Sequence, residues 1–291
     1  MIGRTIKKIR ISKGYTQKFI SENIIHQTSY SKFELDKIQL TTENFIHILR
    51  KLDISYAEFS FIHNDYDLDE KEKIIQTFIN LRFIDEKVLQ EIINLSTAYL
   101  NKSYDSFLYD ILQLCKGFIK LKMTSDFKIA SKYAKIIWSR LERTDIWYLS
   151  DLYLINNILF LFPLETSISI ADLAITRLEK YSKLDNRYKL LALTIQYNVV
   201  HLLIRANEYN SAYIMNEKVI YGFKENKNYF QTSLSLLRKG FLENKLGKQP
   251  DHTTSMLLIN LIGVAEIFDD RDLVERLKEE EKYLRRLEKV K

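Results

Sequence analysis

The chain has 291 residues with a net formal charge of +6, and only 7 Gly, 2 Pro and 1 Cys. That length holds two domains and a sizeable core, and so few breakers without any Asn-Gly or Asp-Gly hairpin signal exclude a β-rich fold and predict an all-α protein. The lone Cys115, in an apolar run, excludes an intrachain disulfide and a thiolate zinc cluster and reads as a buried, inert thiol.

The first helix is predicted from about Ile2 to Lys13, with Ile6 and Ile9 inward and Gly14 supplying the left-handed residue that ends it. Thr16 is a good N-cap for a short second helix in which Phe19 and Ile20 are expected to face inward, and Ile24 and Ile25 close the corner. A third helix begins near His26 or Gln27. Tyr30 and Phe33, three apart, share its buried face, which turns Gln27, Thr28, Ser31 and Lys32 outward. An exposed row of amide, hydroxyl and ammonium groups is what reading base edges in a DNA major groove requires, and two short helices around a tight turn fit a helix-turn-helix.

Between Met1 and Lys32 stand Arg4, Lys7, Lys8, Arg10, Lys13, Lys18 and Lys32 against the single acid Glu22. A local excess of this kind draws phosphates and releases counterions; it is equally the composition of a solvated helix face. Leu35-Asp36-Lys37 forms a loop, Thr41 or Thr42 caps a fourth helix carrying Phe45, Ile48, Leu49 and Leu52, and Ser55-Tyr56-Ala57-Glu58 opens a fifth as a capping box.

Arg10, Lys13-Gly14-Tyr15-Thr16-Gln17, Tyr30-Ser31-Lys32-Phe33-Glu34 and Leu52-Asp53-Ile54, in that order, resemble the lambda-repressor/Cro type of DNA-binding domain. More narrowly, they resemble the Rgg/GadR/MutR regulators. The resemblance is specific over residues 1–65 and looser to the C-terminus. It implies that Gln17 touches phosphate and that Gln27, Thr28 and Lys32 read bases. Arg10, Lys13 and Ser31 join them as DNA-facing candidates, Phe33 is core, and Glu34 is the expected partner of Arg10.

The polar hinge Asn64-Asp65-Tyr66-Asp67 sets the expected domains at 1–65 and 66–291. Beyond it the sequence repeats. Phe127, Ile168 and Tyr209 each precede an Ala by three residues (Ala130, Ala171, Ala212) and are spaced by 41. The last of these is close to the signature of tetratricopeptide repeats, and a right-handed helical solenoid is predicted. Helix pairs are expected to open near Asp69, Tyr104, Ile146, Asn186 and Tyr229, with second helices near Asp85, Ser125, Thr166, Tyr209 and Asp251. First helices line the concave side, and the charged stretch Asp269–Lys291 reads as a capping helix, or alternatively as one that binds a partner.

The same offset places Asn157 on Asn198 and Phe160 on His201, with Arg205 one turn beyond. Asn is a poor mid-helix residue. Carboxamides either bond neighbouring helices or clamp an extended peptide, and Arg205 suits a carboxylate. The resemblance implies a short signalling peptide in this groove, and Tyr153, Asn157, Thr194, Asn198, His201, Arg205 and Arg238 are the candidates for holding it. The expected protein is a homodimeric, sequence-specific DNA-binding regulator under peptide control, reading two half-sites. The rival from another class is a repeat adaptor docking a protein partner.

Five histidines without metal-ligand spacing and no Gly-rich phosphate loop leave no catalytic constellation, so no enzyme, metal or cofactor is expected. No signal peptide is read, and the most apolar stretch, Tyr148–Leu164, contains Asp151, Asn156 and Asn157, too polar for a membrane span. A cytosolic location follows as an expectation.

Overall fold

The computed structural model describes residues 1–81, 85–124 and 126–289, and among these the chain is helical with no strand. It divides into two compact units, residues 1–80 and 81–291. The expected boundary at 65 falls between the fifth and sixth helices, so the first unit takes in one helix more.

The first unit, the head, contains α1 (Ile2–Ser12), α2 (Gln17–Ser21), α3 (Gln27–Glu34), α4 (Thr42–Lys51), α5 (Tyr56–His63) and α6 (Glu70–Ile79). Side-chain caps start four of them: Thr16, Thr41, Ser55 and Asp69 accept from the main-chain N–H of Phe19, Asn44, Glu58 and Glu72. Gly14 ends the first helix with φ +72°, as its place in the sequence predicts. One core joins Ile6, Ile9, Ile20, Tyr30, Phe33, Ile48, Leu49, Leu52, Ile54 and Phe59. Phe19 departs from expectation. It is 46 % exposed, its ring lying against Tyr15 at 5.0 Å, while the inward positions of this five-residue helix go to Ile20 and Ser21.

Helix α1 crosses α3 at Gly3, where an added Cβ would stand 1.9 Å from the carbonyl oxygen of Phe33. The same crossing is tied by Asp36, which accepts from the Gly3 N–H at 2.9 Å and pairs with Arg4 at 3.3 Å.

The second unit contains α7 (Glu86–Lys102), α8 (Ser106–Thr124), α9 (Phe127–Leu141), α10 (Leu149–Ile158), α11 (Leu164–Glu179), α12 (Asn186–Arg205), α13 (Tyr209–Glu225), α14 (Tyr229–Lys245), α15 (Asp251–Ile267) and α16 (Arg271–Lys289). Most helices pack on the next, while α8, α10 and α12 also touch side by side, as do α14 and α16. This is the arrangement of stacked helix pairs. Ser125, named as one opening, lies outside the described residues; the remaining openings fall within three residues of the observed helix starts.

Ala130, Ala171 and Ala212 are buried, so the 41-residue spacing marks real helix contacts. Helix α10 is shorter than its counterparts, ending in a 3₁₀ turn at Leu159–Leu161 before Pro163. Arg140 bridges the buried carboxylates of Asp110 (2.7 Å) and Asp151 (3.0 Å), tying α8, α9 and α10.

Because the atom that a Cβ at position 3 would strike is main chain and cannot rotate away, Gly3→Ala is expected to destabilise the head by about 1–3 kcal/mol. Hydrogen exchange of α1 and α3 amides measures this; unchanged protection would contradict the close crossing.

Candidate DNA-reading face and ligand hollow

On α3, Tyr30 and Phe33 are buried while Gln27, Thr28 and Lys32 are exposed and Ser31 is partly so. The helix starts at Gln27 behind His26, whose Nδ1 lies 2.9 Å from the Thr28 hydroxyl. Lys8 on α1, Lys18 on α2 and Lys13 between them are exposed. Arg10 is not part of this surface. It is 8 % exposed and donates to Glu34 from Nε (2.5 Å) and Nη2 (2.9 Å), and to the Tyr15 carbonyl from Nη1 (2.7 Å). The expected pairing with Glu34 therefore consumes the cation, and Arg10 is corrected from DNA contact to internal pin.

Gln17 is drawn in as well. Partly exposed, it donates from its amide to the second Glu34 oxygen at 2.7 Å and so supports that carboxylate. Three helices thus meet at one carboxylate, whose pKa is pulled below the usual range by the hydrogen bonds from Arg10 and Gln17, against the opposing effect of burial.

In the second unit a hollow of ≈ 300 Å³ opens between helices, at the lower end of ligand-sized sites. Its apolar wall is built on Phe118, Phe127 and Phe160, with ring centroids 6.0–6.2 Å apart. Asn157, Asn198, His201, Arg205 and Arg238, expected from the sequence, all line it. Tyr153 and Thr194 do not: each sits one turn before its asparagine, outside the hollow. The Tyr153 carbonyl accepts from the Asn157 amide at 2.9 Å, and the Thr194 hydroxyl donates to the Leu190 carbonyl.

Asn198 donates to Asn156, at the side-chain oxygen (3.0 Å) and at the main-chain oxygen (3.2 Å), so this amide braces α12 on α10 as well as facing the hollow. The adjacent Asn156 was the sequence signal for that bridge.

Arg238 lines the hollow as expected, but without a free charge. At 2 % exposure it donates to Glu280 (2.7 Å) and to the Tyr197 carbonyl (2.9 Å), and stacks on the Tyr197 ring at 3.8 Å. It floors the hollow with its charge already neutralised. Arg205 differs. It is exposed, lies over the Phe127 ring at 4.6 Å and makes no carboxylate pair among the described residues. Arg276, on α16, also lines the hollow and was missed by sequence reasoning; it bonds Glu279 at 3.1 Å on its own helix. His201 stacks on Tyr283 at 4.8 Å, and burial, aided by Arg238, pushes its pKa down to about 3. The imidazole is neutral at pH 7.

The family described as HTH-type transcriptional regulator Rgg, C-terminal domain, matches residues 87–258, and a helix-turn-helix domain matches residues 3–60. Solved structures share the fold over nearly the whole chain. A transcriptional regulator from Listeria monocytogenes EGD-e, called putative in its description, is 22% identical with TM-score 0.75, covering 100% of this chain and 99% of that one. PlcR of Bacillus thuringiensis, in complex with the peptide PapR7 and DNA, is 22% identical with TM-score 0.69, covering 95% and 98%. The SHP pheromone receptor Rgg2 of Streptococcus dysgalactiae is 14% identical with TM-score 0.64, covering 97% and 99%. No helix among the described residues is long and apolar enough to cross a membrane.

His201 carries a pH prediction. The unfolded chain takes up its proton below about pH 6.5 and the folded one only near pH 3, so its contribution is complete above 6.5 and lost as pH falls through that window. Urea unfolding followed by the fluorescence of Trp138 and Trp147, both in this unit, should show a loss of roughly 1 kcal/mol between pH 7 and pH 5.5. His201→Phe, which keeps a ring against Tyr283, should flatten that slope; an equal slope would assign it elsewhere.

Proposed function

The chain belongs to the Rgg family of helix-turn-helix transcriptional regulators, and from that premise we propose that α3 reads a duplex in its major groove while the hollow of the second unit takes a short signalling peptide that governs the reading. The observation that carries the first half is the outward row Gln27, Thr28 and Lys32 above a buried Tyr30 and Phe33. An amide, a hydroxyl and an ammonium on one helix face match the donor and acceptor pattern of base edges. The exposed Lys8, Lys13 and Lys18 serve the phosphates, and Ser31 stands at the edge of the reading face.

The second half is carried by the hollow's composition. An aromatic wall accepts an apolar side chain, Asn157 faces an extended backbone, and Arg205 offers both edges of its guanidinium to a carboxylate. Fold relatives include one solved with a peptide and DNA and one described as a pheromone receptor. A single head reads too few base pairs for high specificity, so the working form is a homodimer on two half-sites, acting in the cytosol. Peptide binding favours one placement of the heads by its differential affinity for the two states.

In band-shift titrations, Gln27→Ala is expected to lower the preference for a selected duplex over a scrambled one, whereas Lys8→Ala weakens both about equally. A Gln27→Ala protein indistinguishable from wild type would move the reading helix elsewhere, and absence of salt-dependent DNA binding would leave the adaptor reading. For the hollow, calorimetry with a peptide selected from culture-derived pools is expected to show a loss of about tenfold in affinity for Arg205→Ala, as for one charge-assisted hydrogen bond. An unchanged affinity removes Arg205 from the site.

A further inference from the structure

Helix α2 is only five residues long, and its C-terminal end has main-chain oxygens that no N–H reaches: among the described residues neither the Phe19 nor the Glu22 carbonyl receives a main-chain donor. Both are taken by one side chain. Lys51, the last residue of α4, donates from Nζ to the Phe19 oxygen at 2.8 Å and to the Glu22 oxygen at 2.6 Å, and the same ammonium lies 5.4 Å from the centre of the Phe19 ring.

Its own backbone is held firmly, because α4 anchors in the core through Ile48 and Leu49 and is followed at once by the buried Leu52. A cation placed on bare carbonyls at a helix C-terminus also meets the negative end of the helix dipole. The stretch that follows is the turn into α3, where Asn23 carries φ +61°, a left-handed conformation that Asn tolerates better than most residues. Few other ties hold this turn: Ile24 and Ile25 donate to Ser21 and are only partly buried.

We propose that Lys51 is a positioning residue for DNA reading. Its ammonium closes α2 and holds the α2–α3 turn, and so sets the angle at which α3 meets the duplex; it does not contact phosphate. The inference rests on α3 being the reading helix. It assigns Lys51 a role opposite to the one its charge suggests, since a basic residue in a DNA-binding head ordinarily counts as a phosphate contact. The two roles differ in what they leave behind when lost. A phosphate contact contributes equally to every sequence and to the counterions released. A brace on the reading helix contributes to discrimination and releases none.

The test uses the full-length chain, a duplex selected by the wild type from a random pool, and a scrambled duplex of the same length and composition. Both are titrated across a salt series with wild type, Lys51→Met and Lys51→Arg. Lys51→Met keeps most of the aliphatic stem and removes the donors. The expected result is a fall of about tenfold in the selected-to-scrambled affinity ratio, the size of one good base contact, with the salt dependence on the scrambled duplex unchanged. Lys51→Arg, which still donates, should keep the wild-type ratio.

A salt slope reduced by about 0.9 with an unchanged ratio would make Lys51 a phosphate contact and overturn the proposal; so would a Lys51→Met protein identical to wild type in both readouts. Should Lys51→Met fail to fold, the ammonium ¹⁵N resonance of wild-type Lys51 decides: it should stay in place when scrambled duplex is added, while that of Lys8 moves. A wild type that binds neither duplex in a salt-dependent way would instead sink the reading of α3 itself.

Discussion

The roll of α3 about its own axis is the constraint on which the head depends. Tyr30 and Phe33 lock one face into the core, and Glu34, at the helix end, accepts from Arg10 on α1 and Gln17 on α2. Burying two aromatic rings and a carboxylate on the same side turns Thr28 and Lys32 outward, while Gln27, on the flank of that side, is exposed at the open first turn. A buried ion pair adds little net stability, yet losing one partner strands the other, so the pair works as a register pin. The close crossing at Gly3 and the Asp36 ties add a second fixed point on the same two helices.

The second unit solves a comparable problem with a different pair. Arg238 and Glu280 are both buried and join α14 to α16, while the Tyr197 carbonyl brings in α12. The stack of His201 on Tyr283 repeats the α12–α16 link one turn on. These contacts lie directly beneath the hollow, so the last helix is part of the floor on which a ligand would rest, and Arg276 reaches the hollow from it. A buried ion pair with matched hydrogen bonds specifies one arrangement of helices more sharply than apolar packing alone.

Much of this was legible in the sequence because it is local. The spacing of Tyr30 and Phe33, the caps Thr16, Thr41 and Ser55, and the turn at Gly14 depend on residues within one or two helical turns, and the structure has them where periodicity placed them. The 41-residue offset survived because Ala130, Ala171 and Ala212 mark helix contacts that recur in three successive pairs. What escaped depends on partners far along the chain. The pairing of Arg10 with Glu34 was expected, but the burial that takes its guanidinium off the surface shows only once the helices pack, and Arg238 finds its partner Glu280 42 residues along. Tyr153 and Thr194 share a helix face with their asparagines, but the hollow closes one turn short of them. Phe19 shows the limit of pattern alone: in so short a helix, which of two adjacent apolar residues turns inward is decided by tertiary packing.

Sequencing the DNA fragments retained by the full-length protein, with and without culture-derived peptides, bears most directly on the idea that a solvated helix face reads a groove under control of the repeat unit. The expected outcome is one enriched motif made of two related half-sites about one helical turn or a multiple apart, whose enrichment changes when peptide is present. A retained pool without any enriched motif, or one indifferent to every peptide fraction, would contradict it.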